Sequence, residues 1–162
     1  KEFGLTPYGT ETMHLLRAEK GYIIIGQDTD GSITPIDLGL NWMIGKTKTD
    51  FLGKRSLTRS DTVRPDRKQL VGILPLNKED SPEEGQHIFL NDSIQTPVPM
   101  LGHITSSYHS PIMGHTFGLA VLKDGRNLIG TKAFASTSDQ KTIPIDIVKP
   151  IFYDEKNERL VS

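Results

Sequence analysis

The 162 residues contain no cysteine. Disulfides, thiolate zinc sites, iron–sulfur ligation and cysteine nucleophiles are therefore excluded within them. The wholly apolar runs are all short, so none can span a bilayer as a helix. No signal-peptide pattern follows Lys1. An excess of one charge is also missing. Nineteen basic side chains face twenty acidic ones, a net of −1, so a strongly basic nucleic-acid binder is not the reading. No internal repeat or low-complexity tract is visible. What remains is 35% apolar and 24% charged, ordinary for a soluble chain and long enough for one or two domains with a real core. The start inside dense sequence without Met leads to the expectation of a piece of a longer protein.

The first third reads as mixed helix and strand. Thr6-Pro7 predicts a capped helix start, with Tyr8 to Ala18 helical and Gly21 as the stop. Tyr22 to Ile25 is a β-branched run between Gly21 and Gly26, the pattern of a buried strand. Asp28 to Ser32 is a turn cluster. Thr34-Pro35, with Asp37 in the first turn, predicts a short helix before Gly39. Asn41 to Gly45 reads as a strand carrying Trp42, and Asp50 as the cap of a helix to about Leu57. From Lys46 to Lys68 there are eight basic and three acidic residues, a local net of +5. This block marks the boundary between two units. Beyond it, Gln69–Leu76, Gln86–Leu90, Met100–Tyr108, Thr116–Leu122, Lys132–Ala135 and Thr142–Val148 are apolar or alternating runs between turn residues. Six short strands at near-regular spacing predict a small antiparallel barrel or sandwich. The fold class is α+β.

Few residues stand out chemically. Arg17 and Glu19 lie two apart at the predicted helix end. If the helix stops near Ala18, both can point into one cleft. There a carboxylate suits the N–H donors of an aminopyrimidine and an arginine suits a carboxylate. A surface ion pair is the plainer explanation of the spacing. Asp28, Asp30 and Ser32 follow part of a calcium-loop pattern, but Gly39 stands where its glutamate belongs, so a capped turn is the reading. The five histidines lack the four-residue helical spacing of a zinc pair, and no metal site is expected. Thr105 to Tyr108 is a hydroxyl-rich strand end without a nucleophile elbow, read as a polar turn of the barrel. Tyr8, Tyr22 and Trp42 offer aromatic faces, more commonly core. The acidic stretch Asn77–Gln95 reads as an exposed loop.

The order of motifs goes further than their spacing. Leu-Leu-Arg-Ala-Glu-Lys-Gly-Tyr at 15–22, Gly-Gln-Asp-Thr-Asp at 26–30 and Thr-Pro-Ile-Asp-Leu-Gly-Leu-Asn-Trp at 34–42 come first. Asp-Phe-Leu-Gly-Lys-Arg-Ser-Leu at 50–57, Leu-Val-Gly-Ile at 70–73 and Leu-Gly-His-Ile-Thr-Ser-Ser-Tyr-His-Ser-Pro at 101–111 come after them. This series resembles the carboxy-terminal part of the glycine-cleavage T-protein (aminomethyltransferase) family, from about Gly4 to Arg159. Within that family, residues 6–14, 64–72 and 99–108 are similar to the alpha subunits of heterotetrameric sarcosine oxidases.

The resemblance implies the end of a folate-binding α/β domain over residues 1–62 and a terminal β-barrel over 67–162. It implies a cytoplasmic parent enzyme that oxidises sarcosine to glycine and forms hydrogen peroxide from oxygen. The one-carbon unit passes to tetrahydrofolate, or leaves as formaldehyde without it. FAD, FMN and NAD are expected on other parts of that complex, and the beta, gamma and delta subunits as partners, with no nucleic acid and no membrane. By motif, Arg17 and Glu19 fall in the segment near the folate, and Tyr153 in a terminal aromatic segment that closes over it. No catalytic residue is carried over, because the family's catalytic aspartate lies upstream. The chain alone is expected to be inactive, with an apolar wall that favours self-association. The competing readings are a T-protein aminomethyltransferase or dimethylglycine dehydrogenase-like folate domain, and a non-catalytic subunit-interaction module. Folate-binding proteins of iron–sulfur assembly carry a Lys-Gly-Cys-Tyr signature, which Lys20-Gly21-Tyr22 lacks.

Overall fold

The computed structural model describes residues 2–92, 97, 99–139, 141–159 and 161. Six strands close into an antiparallel barrel: β1 (Lys68–Pro75), β2 (His87–Phe89), β3 (Gly102–Ser110), β4 (His115–Lys123), β5 (Lys132–Ser136) and β6 (Thr142–Val148), in the order β1-β4-β3-β2-β5-β6. Closure leaves no open sheet edge. All six match the predicted runs to within two residues at most ends, and the antiparallel barrel is the expected fold.

Alternation along the strands builds two apolar layers. Val71, Ile73, Ile88, Ile104, Ala120, Leu122, Ile145 and Ile147 fill the barrel interior. Leu70, Phe117, Leu119 and Val121 point outward, where Leu15 and Ala18 of α1 (Thr10–Glu19), the single α-helix among the described residues, and Phe152 of the tail cover them. The strand β4 is therefore buried on both faces. At Gly102 a Cβ would lie 1.9 Å from the Val121 carbonyl oxygen, so β3 and β4 approach there only without a side chain.

The strand β3 is irregular at one point. Ile104 pairs with Ala120 and Ser106 with Leu119, so Thr105 is the extra residue of a β-bulge. A bulge breaks the alternation of faces. The polar run expected to be a turn is thus mid-strand, and both Thr105 and Ser106 are buried.

The first third departs from expectation. The helix starts at Thr10 with Gly9 at the N-cap, and no side chain caps it. Thr6-Pro7 lies outside, because Gly9 is a poor interior residue and ends the helix on that side. Tyr22–Ile25 is not a strand. A strand needs a ladder partner, and this backbone folds back on itself: Gln27 and Asp28 amides donate to the Ile24 carbonyl at 3.2 and 2.9 Å. Thr34–Leu40 is a turn, Asn41–Met43 is a 3₁₀ turn instead of a strand, and the helix predicted from Asp50 is a 3₁₀ turn at Lys54–Thr58. The helix stop at Gly21 is met: its φ is +71°, and a Cβ would lie 2.1 Å from the Pro150 carbonyl oxygen.

A buried ion pair fixes this irregular segment to the barrel. Arg67, just before β1, donates to Asp37 at 2.8–3.1 Å, to Asp61 at 3.1 Å and to the Ser32 carbonyl. Burial pushes the Asp37 carboxyl up, but hydrogen bonds from Arg67 and Thr34 outweigh it and hold it below the ordinary value. The Asp37 bond in turn raises Arg67. A carboxyl depressed by folding contributes stability above its unfolded pKa, and that contribution is lost as pH falls through the folded value. Arg67→Met, which leaves Asp37 buried and unpaired, is expected to cost about 3–5 kcal/mol at pH 7. The deficit shrinks below about pH 4, where the carboxyl protonates even in the unfolded chain. Urea unfolding at both pH values checks this; an equal loss at both would contradict it.

Candidate functional site

Three stretches meet at the outer face of the barrel: the last turn of α1, the turn at 24–28 and the bulge of β3. Asp28, 1% exposed, is the hub. Its Oδ2 accepts from Arg17 Nη1 at 2.5 Å and from the Ile24 amide at 2.9 Å. Its Oδ1 accepts from the Thr105 and Ser106 hydroxyls, both at 2.6 Å. The bulge is what lets two successive hydroxyls reach one carboxylate. Arg17 also donates to Ser106 Oγ at 2.9 Å, the Tyr108 hydroxyl at 3.3 Å and the Tyr22 carbonyl at 3.1 Å. Its guanidinium lies 5.7 Å from the Tyr108 ring centre. Arg17 Nε has no partner among the described residues. Gln27 Nε2 donates to Ser106 Oγ at 3.2 Å and closes the group.

Glu19, 2% exposed, sits further along the same face. Its Oε1 accepts from Ser110 at 2.6 Å, and its backbone carbonyl takes the Phe152 and Tyr153 amides at 2.9 and 3.1 Å. Lys20 then reaches the Asp154 carbonyl at 2.6 Å and Asn157 Oδ1 at 2.7 Å. Phe152 packs on Phe117 with ring centres 4.5 Å apart. The carboxy-terminal segment is thereby strapped across the end of α1.

The expectation that Arg17 and Glu19 open into one cleft is not met. Both turn toward the barrel; Arg17 Nη1 and Nη2 and Glu19 Oε1 are taken by protein partners, whereas Arg17 Nε is not. Arg17, Glu19 and Tyr153 do not line the hollows over residues 23–57 and beside the 26–33 turn. The partners that sequence reasoning missed are Asp28, Thr105, Ser106 and Tyr108. Asp28 reads as an ordinary turn acid, and 77 residues separate it from Thr105, so no spacing rule joins them. The one available signal is a hydroxyl run inside an otherwise apolar strand pattern.

Open space lies elsewhere. A groove of about 650 Å³ runs over residues 23–57 and has mainly apolar walls, among them Ile25, Leu40, Met43 and Phe51, with Thr29, Asp30 and Lys48 as polar groups. A smaller hollow of about 210 Å³ lies between the 26–33 turn and His103, Thr105 and Val121. Asp30 and Ile33 border both. Ser32 donates its hydroxyl and amide to Asp30 Oδ1 at 2.6 and 2.7 Å, and these bonds hold the carboxyl below its ordinary value. His103, directly across from His87, is lowered by burial and by Lys68 and His87. No group of three or more metal-ligating side chains occurs among the described residues. Tyr8, Tyr22 and Trp42 are exposed, not core; Trp42 is 74% exposed. No helix among the described residues is long and apolar enough to cross a membrane.

The barrel has the fold of a known family. The chain belongs to the glycine cleavage T-protein family: the sequence profile of the glycine cleavage T-protein C-terminal barrel domain matches residues 68–154, and that of the GCVT N-terminal domain matches residues 1–48. It is similar to the sarcosine oxidase subunit alpha of Corynebacterium sp. (strain U-96), 46% identical over 98% of this chain and 16% of that protein. The same subunit from Corynebacterium sp. (strain P-1) is 54% identical over 80% and 14%, and that of Rhizobium meliloti 39% identical over 99% and 16%. The chain therefore spans about a sixth of these relatives. An aminomethyltransferase of Clostridium botulinum is 29% identical over 98% of this chain. The fold matches that of a crystallised aminomethyltransferase from Bartonella henselae, with a TM-score of 0.74 and 23% identity over 91% of this chain and 39% of that one.

Asp28→Asn removes the charge that offsets buried Arg17 and is expected to cost about 3–5 kcal/mol. Ser106→Ala removes one hydrogen bond to that charge, about 1.5–3 kcal/mol. Urea unfolding gives the magnitudes. Amide exchange should speed up first in residues 22–28; a loss of less than about 1 kcal/mol by Asp28→Asn would show that the hub is not stabilising.

Proposed function

We propose that the chain is the folate-handling part of a sarcosine oxidase alpha subunit. The parent enzyme converts sarcosine to glycine, forms hydrogen peroxide from oxygen, and passes the one-carbon unit to tetrahydrofolate. The observation that carries this reading is identity of 39–46% along almost the whole chain to two such subunits, against 29% to an aminomethyltransferase over the same span. In this reading residues 1–62 belong to the folate domain and 67–162 form the barrel. FAD, FMN and NAD are bound elsewhere, in a cytoplasmic heterotetramer with beta, gamma and delta subunits.

Tetrahydrofolate, when bound, supplies a nucleophilic nitrogen for the one-carbon unit. The chain's own contribution is to bind and to exclude water. Competing hydrolysis of the one-carbon unit is suppressed only if folate and its partner are held together away from bulk solvent. The residues present suit such a ligand: an apolar groove of the right size for an organic cofactor, with a carboxylate and a lysine on its walls. Arg17, Glu19 and Tyr153 are the folate-binding residues in this reading, and the bonds of Arg17 and Glu19 also fix the contact from which residues 22–57 extend.

The test uses the full-length subunit assembled with its partners. Sarcosine is expected to yield hydrogen peroxide and formaldehyde in equal amounts. Adding tetrahydrofolate should lower the formaldehyde without lowering the peroxide. The 162-residue chain alone is expected to turn over no sarcosine. Absence of sarcosine oxidation in the complex, or formaldehyde unaffected by tetrahydrofolate, would overturn the reading.

A further inference from the structure

From residue 41 to residue 66 the chain has no buried residue, and neither 3₁₀ turn in this stretch contributes to the apolar layers of the barrel. It is folded nonetheless. Lys54 Nζ donates to the Lys48 and Thr49 carbonyls at 3.1 and 2.6 Å, and the Thr62 and Val63 amides close back on the Arg59 carbonyl at 2.9 and 3.1 Å. A stretch that keeps its shape without a core of its own presents a surface. Part of that surface is apolar: Leu52 is fully exposed, and Trp42, Met43 and Val63 are more than half exposed. The rest has one sign. Residues 46–59 hold five cations and one acid, a net of +4, in a chain whose net charge is −1, so the remaining residues carry −5. Among the described residues, no carboxylate lies within 4 Å of the side-chain nitrogens of Lys46, Lys48, Lys54, Arg55 or Arg59, whereas Arg17, Arg64 and Arg67 each have one. Asp50, the one acid, accepts from the Phe51 amide at 2.9 Å. A hollow of about 440 Å³ lies beside Leu52, with Arg55 and Phe51 on its walls. Trp42, Lys46, Arg55 and Arg59 do not line the groove over residues 23–57, so they stand outside the space assigned to folate.

Five like charges in one stretch repel, and nothing within the described residues offsets that cost; carboxylates of a partner would. Exposed aromatic, methionine and arginine side chains are the composition of a protein interface. A polyanion such as a nucleic acid would use the charge but not Leu52 and Trp42. Resting on the alpha-subunit reading above, we propose that residues 46–59 form a contact with another subunit of the parent complex. That subunit presents an apolar strip bordered by aspartates or glutamates. Leu52 packs on the strip, Arg55 and Arg59 pair with the carboxylates, and one acidic side chain enters the hollow beside Arg55. The contact lies between the two matched domains, residues 1–48 and 68–154, so the partner is held at their joint.

The test uses the intact complex of full-length subunits. A carbodiimide joins an ammonium to a carboxylate only where the two touch. It is expected to link Lys46, Lys48 or Lys54 to an aspartate or glutamate of another subunit, read by mass spectrometry of the digested product. Arg55→Glu combined with Arg59→Glu, and separately Leu52→Asp, are expected to weaken subunit association by about tenfold or more in sedimentation velocity. Added salt should narrow the gap between the charge variant and the wild type, because exposed charges are screened. Lys78→Glu, at an exposed lysine after β1, should leave association unchanged. All the substituted side chains are exposed, and unchanged circular dichroism checks that each variant folds. Products that link these lysines only to carboxylates of the same polypeptide, only to a second alpha subunit, or to nothing would overturn the proposal and leave the alpha-subunit reading in place. Association unchanged in both variants would do the same. A full-length wild-type chain that forms no complex with other subunits would instead remove the functional reading, and this contact with it.

Discussion

The Asp28 carboxylate is out of water, and a buried charge is tolerated only with its partners in place. Four donors from three separate stretches of chain supply them. Remove one and the others are left with buried, under-satisfied groups, so the group forms as a unit. This explains several features that look independent. The β3 bulge turns two adjacent hydroxyls to one side. The 22–28 segment coils instead of extending. Arg17 directs its guanidinium inward although it sits at a helix end, where arginines usually face solvent. A second tie, Asp37 with Arg67, secures the next turn in the same way.

The two parts of the chain are stabilised differently. Within the barrel, apolar side chains fill the interior and every strand has neighbours on both sides, so hydrophobic burial and the backbone ladder agree. The first third has one helix and several turns, and exposes Phe3, Ile25, Trp42, Met43 and Leu52. It holds its place chiefly through the buried ion pairs and the outer apolar layer around Phe117 and Leu119. Polar ties specify position more sharply than they add net stability, because the desolvation cost consumes much of the attraction.

The barrel is legible in the sequence because its strands obey local rules: alternation, β-branched residues and turn punctuation agree along each run. The helix stop at Gly21 is legible for the same reason, a local backbone demand. Tyr22–Ile25 misleads because β-branched composition shows that a segment suits a strand, not that a ladder partner exists. Trp42 misleads similarly, since aromatic character does not reveal which side faces water. The candidate site is half visible. Arg17 and Glu19 stand out as unusual, but their partners do not, because Asp28, Ser106 and Ser110 are brought to them by barrel closure.

The strap across the end of α1 sets an order of events during synthesis. The helix leaves the ribosome before groups that hold it, which come some 90 to 135 residues later, at Ser106, Ser110, Phe152 and Asp154. A ten-residue helix is marginal on its own in water. The contacts that fasten this helix to the barrel can therefore form only after most of the barrel has emerged. Within these residues, the first third is fastened only by groups made after it.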